Sequence, residues 1–312
     1  SRSSAQQRAG RAGRERPGKV FRLYTEHAFQ NVMEAQKVPE VQRCNLTQVV
    51  LQLKALGIDD IVHFDFLSAP PTMNMANALE LLYALGALDD DCMLTEPFGT
   101  TIAEFPIEPC LAKMLLASGD FGCSEEILSI AAMLSVPNIF VTSRDRTLSD
   151  KLRKKFSVLE GDHITLLNVY LGFQGARNKS EWCKRNHLYY KNLCKAERVR
   201  RQLRAYCNRF NVPMKTCGDD TVAIRKSIIS GFFANAAQAQ PDSTYKTVRG
   251  GHVLHLHPTS AVFKYPPKWV VYNEVMRTTE DYMREVIAVE VEWIAEAAPH
   301  FYDFKKLKPK YY

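Results

Sequence analysis

No two of the eight cysteines, at 44, 92, 110, 123, 183, 194, 207 and 217, have the C-x-x-C spacing of a zinc or redox site. Cys110 and Cys123 fall in apolar, helix-like surroundings, where a free thiol behaves as a small hydrophobe. The expectation is reduced thiols in a cytosolic or nuclear protein. Long apolar runs are missing too: nothing approaches the roughly 18–20 uncharged residues of a membrane span. No basic-then-apolar leader opens the chain, and its start, Ser-Arg-Ser-Ser without Met, suggests a fragment. Repeats of about 20–50 residues and low-complexity tracts are likewise absent. What is present is ordinary globular composition. The 312 residues are 46% hydrophobic and 24% charged, which excludes a wholly disordered chain and suggests two domains, or three small ones.

The net charge of +7 hides an asymmetry. Residues 1–22 carry seven Lys/Arg against one Glu, a net +6, whereas 23–176 carry ten against twenty, a net −10. Residues 177–209 carry eleven against two, a net +9, and 210–312 carry thirteen against eleven, a net +2. Concentrated positive charge suits a phosphate-rich partner, because each Lys or Arg set on a phosphate releases a counterion. A solvated basic helix face is the alternative.

Residues 18–24 (GKVFRLY) read as a short strand. Asn45 reads as the N-cap of a helix over 46–56, ended by Gly57, and a second helix is expected over about 73–86. LTEPFGTTIAEFP (94–106) reads as a β-hairpin around Gly99, so helix, helix and hairpin follow in the order of a winged helix. Asp89-Asp90-Asp91 lacks calcium-loop spacing and reads as a turn. Helices are expected at 109–118, at 125–134 with Ser124 as cap, and near 163–175, 180–188 and 191–210. Leu193, Ala196, Val199, Leu203, Tyr206 and Phe210 form an apolar stripe on the last, so its arginines face the other way. They suit an RNA path, a partner surface or a solvated face. A helix over 222–236 then leads into strand-like runs at 244–249, 252–257, 261–264, 268–275 and 283–289, which suggests a small Greek-key barrel such as an OB-fold. A helix over 291–297 turns Trp293 and Ile294 inward, before a tail with Lys305, Lys306, Lys308 and Lys310.

The segment with most chemistry is QRAGRAGR, residues 7–14, in which Arg8, Arg11 and Arg14 recur every third residue between Gly and Ala. Small residues let guanidinium groups and backbone approach a polyphosphate closely. An Arg brought to a γ-phosphate stabilises the charge that spreads during transfer. An Arg/Gly-rich RNA-binding tail or a basic helix start stands beside that reading.

QRAGRAGR resembles motif VI of superfamily 2 helicases, in the form found in DEAH-box RNA helicases. The likeness continues through VPEVQRCNLTQVVLQLKALGIDD (38–60), LLYALGALDDD (81–91), LTEPFGTTIAEFPIEP (94–109), FGCSEEILSIAAMLS (121–135), EGDHITLLNVY (160–170), SGFFANAA (230–237), LHLHPTSAVF (254–263) and WVVYNEVMRTTEDYMREV (269–286). Within the family it is most similar to the spliceosome-associated helicase 35 type. The resemblance implies a multidomain α+β chain. Residues 1–37 would end a second RecA-like α/β domain, 38–107 form a winged helix, 108–220 a helical, ratchet-like bundle and 221–300 an OB-fold β-barrel, with 301–312 a basic tail.

It further implies that Gln7, Arg11 and Arg14 face the γ-phosphate of ATP, with Arg11 and Arg14 catalytic, Gly10 and Gly13 giving backbone clearance and Arg8 serving structure or an interdomain contact. These 312 residues contain no G-x-x-x-x-G-K-[ST] loop and no D-E-A-H to hold Mg2+. The chain alone is therefore expected to be inactive within a larger ATP-dependent RNA helicase. Single-stranded RNA would thread between the RecA-like pair and this module, with Arg284 and the Tyr245-Lys246-Thr247 strand as contacts. Each has fold-internal pairing or packing as its alternative. Implied partners are RNA, spliceosomal proteins and an activator of the G-patch type, in the nucleus and with no membrane. Trp269, Tyr272 and Trp293 read as core, and His252, His255 and His257 as strand histidines with no further metal ligand in view. A stand-alone RNA-binding or scaffold module is the competing function. A DNA-reading winged helix is disfavoured, because 73–86 contains no Lys or Arg.

Overall fold

The computed structural model describes residues 1–141 and 151–302. The tail lysines at 305, 306, 308 and 310 lie outside the described residues. Among those described, no helix is long and apolar enough to cross a membrane.

Helix α1 (Arg2–Ala9) opens the chain, with the Ser1 hydroxyl accepting from Ser4 N. It is tied down by Arg2 N donating to Glu34 O and Ser3 N to Ala35 O, at 2.8 and 3.0 Å. The strand expected over 18–24 does not form: that stretch is irregular, and Phe21 and Leu23 are 84% and 98% exposed. A strand needs a neighbour for its backbone groups, and no described strand lies beside it.

Helices α2 (Thr47–Ala55) and α3 (Thr72–Ala84) pack together, burying Val50, Leu51, Met75, Ala78 and Leu82. Leu46, not Asn45, holds the cap position of α2, without a side-chain bond, and Asn45 lies one residue earlier with its Oδ1 accepting from Thr47 N at 2.9 Å. The hairpin expected over 94–106 is instead helix α4 (Phe98–Glu104). Ile102 and Phe105 are buried, at a helical spacing that the short alternating runs concealed. Thr95 Oγ1 accepts from Gly99 N at 2.9 Å, and a Cβ on Gly99 would lie 2.2 Å from Ala87 O. Gly99 thus serves close approach, not a hairpin turn. The wing is reduced to the Leu88↔Leu94 bridge, turned by Asp89, whose Oδ1 accepts from Asp91 N and Met93 N.

The helical bundle follows as α5 (Pro109–Ala117), α6 (Ser124–Leu134), α7 (Asp162–Gly175), α8 (Lys179–Arg185) and α9 (Tyr190–Arg209). Ser124 does not cap α6. Its hydroxyl donates to Pro213 O at 2.5 Å, and Cys123 occupies the cap position without a side-chain bond. Helix α10 (Thr221–Phe232), capped by Asp220, packs on α5 and leads to the barrel.

Five strands close that barrel in the order β1-β2-β3-β5-β4: β1 (Ala236–Ala239), β2 (Tyr245–Thr247), β3 (Val253–Leu256), β4 (Trp269–Arg277) and β5 (Asp281–Ala288). All pairs are antiparallel except β3 with β5, where His255 and Leu256 align with Tyr282 and Met283. Two assignments change. The end of the expected 222–236 helix and the residues after it form β1, whose Ala-Ala-Gln-Ala carries no β-forming signature and is held by pairing to β2 and β4. The 261–264 run is turns, with Val262 plugging the barrel. Glu285, at φ +48°, interrupts the alternation of β5, so that Met283 and Val286 both face the interior.

One core runs from Leu46 through the bundle to Tyr302, joining the winged-helix end, α10, Trp269, Val271 and Ile287 on the outer barrel wall, and Ile294 of α11 (Val291–Ala297). A second fills the far end of the bundle around Phe156, Phe173 and Leu193, and a third the barrel interior.

Candidate nucleic-acid interface

Besides the shared core, bundle and barrel meet where α7 begins. Gly161, at φ +135°, bridges Ile287 on β5, and a Cβ there would come within 2.4 Å of Val286 O. No side chain fits. Glu160 O accepts from Ala288 N at 2.8 Å, and the next residue, Asp162, starts α7 with its carboxylate buried against the barrel. Its Oδ1 accepts from Ala261 N at 2.7 Å, and its Oδ2 from Ser260 Oγ and Val286 N at 2.8 and 2.9 Å. The carboxylate thereby satisfies two backbone N–H groups that the closed ladder leaves over.

Beside this joint lies a cavity of about 560 Å³, walled by the end of α6 and the 135–140 segment after it, α7, the 257–260 turn and the middle of β4 and β5. Its lining alternates acceptors, donors and apolar rims: Asn138, Phe140, Thr259, Asn273, Met276 and Arg284 among them. Arg284 stands between Glu274 and Glu285, 3.5 and 3.6 Å away. Burial pushes the Glu285 carboxyl up to about 7, against the pull of Arg284. His257 Nδ1 lies 2.7 Å from Thr259 Oγ1, and burial, then Arg284, lower its pKa. A mixed, half-enclosed polar cleft on an OB barrel can hold both phosphates and base edges.

The RNA contacts expected from sequence are not brought together. Arg284 lines this cleft, about one-third exposed and engaged with two carboxylates. The 245–247 strand lies on the other side of the barrel. There a second cavity, of about 650 Å³, separates it from Glu80 and Tyr83 of α3. Tyr245 is 1% exposed, its ring inside the barrel and its hydroxyl donating to Pro267 O at 2.5 Å, so it is out of reach of RNA. Thr247 is also buried, its hydroxyl donating to Arg249 O. Strand alternation leaves Lys246 alone facing solvent. Asp162, Asn273 and Glu285 were missed, although EGDHIT carried a signal in a Gly-Asp pair directly before a helix.

At the N-terminal end, Gln7 and Arg8 sit on α1, and Arg11 and Arg14 in the turn after it; all four are exposed. None of the four side chains has an ion pair or hydrogen bond among the described residues. Gly10 is right-handed, at φ −63°, and a Cβ on Gly13 would meet nothing within 4 Å, so neither glycine is needed by the local backbone. Unpaired guanidinium groups at three-residue spacing fit a polyphosphate. Mg2+ finds no counterpart: among the described residues no group of three or more His, Cys, Asp or Glu could hold a metal. His255 instead pairs with Glu280, 3.1 Å away. Trp269 and Tyr272 are buried, whereas Trp293 is half-buried under Arg225.

Three family models match. Residues 78–107 match the winged-helix part of the helicase associated domain (HA2), 108–166 its ratchet-like part, and 224–302 the oligonucleotide/oligosaccharide-binding (OB) fold. Among curated proteins, the chain is 53% identical over 304 residues to a probable ATP-dependent RNA helicase DHX35 of Pongo abelii, covering 97% of this chain and 42% of that protein. The protein of the same name in Homo sapiens is 52% identical over 304 residues, 97% of this chain and 43% of its own length. The chain thus spans less than half the length of the curated relatives it matches.

Proposed function

Because the chain belongs to the DEAH-box RNA helicase family, we propose that it is the C-terminal part of an enzyme coupling ATP hydrolysis to RNA translocation, unwinding or ribonucleoprotein remodelling. The observation that carries this is the cleft between bundle and barrel, a polar groove on an OB-fold fixed to a ratchet-like helix by Asp162. The RNA path runs along that groove, with Asn273, Thr259 and Arg284 as donors. Residues 1–37 end the second RecA-like domain, 38–107 are the winged helix, 108–220 the bundle and 221–300 the OB-fold.

Gln7, Arg11 and Arg14 would hold the terminal phosphates of ATP, whose bound γ-phosphoryl group supplies the transferable phosphate. The two arginines stabilise charge on it, and the small residues between them keep the approach open. Ligands for Mg2+ come from outside these residues. The setting we propose is nuclear, in pre-mRNA splicing, with spliceosomal proteins and an activator of the G-patch type as partners.

The test is RNA-stimulated ATP hydrolysis by the full-length protein. Arg11→Ala and Arg14→Ala should each lower kcat by about 10³-fold or more. The exposure of both side chains means that thermal stability should stay unchanged. Intact turnover in both variants refutes the arginine assignment, whereas a full-length protein without RNA-stimulated turnover would leave a stand-alone RNA-binding or scaffold module as the better description.

A further inference from the structure

Helix α9 has two kinds of basic residue. One kind is consumed by the fold. Arg200 donates to Glu125 Oε2 and Ser129 Oγ at 2.5 and 2.8 Å, Arg204 to Glu125 Oε1 at 2.8 Å, and Arg209 pairs with Glu104 at 2.7 Å. The nearby acid Glu197 is taken by Lys179 at 2.9 Å. The other kind is Lys191, Lys195, Arg198 and Arg201, all exposed. Among the described residues these four make no ion pair or hydrogen bond; Arg201 acts at longer range on Glu197 and Tyr170.

Their order along a 20-residue helix puts them on one outward stripe, with Gln202 and Ala205 continuing it. From Lys191 to Arg201 the stripe rises about 15 Å, on a rod about 30 Å long. Its opposite face, Leu193, Ala196 and Leu203, is buried. The N-terminal end of α9 abuts the cleft wall, Asn192 Nδ2 donating to Asn138 O at 2.8 Å, and from Lys195 onward the stripe runs along the part of α9 that packs on α6.

We propose that this stripe is a second RNA surface that grips the phosphate backbone of double-stranded RNA. The inference rests on the RNA reading above and adds a site and a substrate form to it. Three features select the occupant. Four cations left unneutralised beside carboxylates already engaged suit a polyanion. The stripe carries no apolar or aromatic anchor, which a protein partner's interface core would require. Exposed rings occur only at its end, at Tyr189 and Tyr190, so it lacks the stacking platforms interleaved with cations that single strands use. A straight row of cations with Gln202 among them matches a duplex read through phosphates and 2′-hydroxyls.

The test compares full-length protein with the fourfold variant Lys191→Gln, Lys195→Gln, Arg198→Gln, Arg201→Gln. Fluorescence anisotropy is measured on a 16-base-pair RNA duplex and on a 16-nucleotide single strand, from 50 to 200 mM salt. Duplex affinity should fall at least about tenfold, and the slope of log K against log salt should lose about 3, from four contacts at about 0.7–0.9 each. Single-strand affinity and single-strand-stimulated ATP hydrolysis should stay within about twofold. If the fourfold variant fails to fold, the pair Arg198→Gln, Arg201→Gln should give about half the slope change. Unchanged duplex binding overturns the proposal, and equal loss for both RNAs overturns the duplex assignment. Unchanged RNA binding with lost binding to poly-glutamate would give the stripe to an acidic protein. Wild-type protein that binds neither RNA would instead sink the RNA reading as a whole.

Discussion

Removing the Asp162 carboxylate is the most informative single change to this fold. Asp162→Ala orphans three donors at once, the amides of Ala261 and Val286 and the hydroxyl of Ser260. The carboxylate and its partners are buried, Asp162 being 7% and Ser260 9% exposed. The hydroxyl can rotate to another acceptor, but the two amides cannot. At about 1–3 kcal/mol for each buried group left unpaired, the loss should be about 3–5 kcal/mol. Asp162→Asn keeps the shape and should cost about 1–3 kcal/mol. The assay is urea denaturation followed by circular dichroism, with amide hydrogen exchange read at Ala261 and Val286. Both amides should exchange faster in Asp162→Ala, while Val50 and Leu51 in α2 keep their protection. A loss under about 1 kcal/mol, with both amides still protected, would refute the idea that this carboxylate joins bundle to barrel.

Other consequences concern the buried titratable groups. Burial pushes the Glu285 carboxyl from the ordinary 4.5 up to about 7, so the folded state holds the proton more tightly. Its stability penalty is absent below about pH 4.5 and full above about pH 7, so Glu285→Gln should gain on the order of 2–3 kcal/mol at pH 8 and little at pH 4.5. Equal effects at both pH values in denaturant titrations would contradict this. His163 is 1% exposed, with neither ring nitrogen partnered among the described residues, and burial lowers its pKa to about 3. Below about pH 6.5 the unfolded chain takes up the proton first, so this residue removes stability as the pH falls from 6.5 toward 3. His163→Leu should therefore raise the melting temperature at neutral pH and flatten that acid limb; a fall of several degrees at neutral pH would show that the imidazole holds a role beyond packing.

The helices of the bundle were readable because their apolar residues recur at three- and four-residue spacing over two to five turns, as in Leu193, Ala196 and Leu203. Short segments were not. GKVFRLY and LTEPFGTTIAEFP each offer a few alternating residues, and such a run is a strand only where a neighbour pairs with it. The first has none among the described strands, and the second folds back as a helix because Gly99 allows contact with Ala87. Ala-Ala-Gln-Ala becomes a strand for the converse reason, since β2 and β4 flank it. The arginine segment was legible as chemistry, because spacing and small neighbours are local. The joint at Asp162 was not, because its partners lie 98, 99 and 124 residues away and only the folded chain brings them together. Tyr245 was misplaced for a related reason: which face of a strand points inward depends on the register with its neighbours.

The central claim is that RNA runs through the cleft between bundle and barrel. Photo-crosslinking a 4-thiouridine single strand to the full-length protein, with the sites mapped by mass spectrometry, tests it most directly. The account predicts adducts within 257–260 and 273–276, lost when excess unlabelled single strand competes, and none at Tyr245. Crosslinks confined to other surfaces, with those two segments clean, would contradict it.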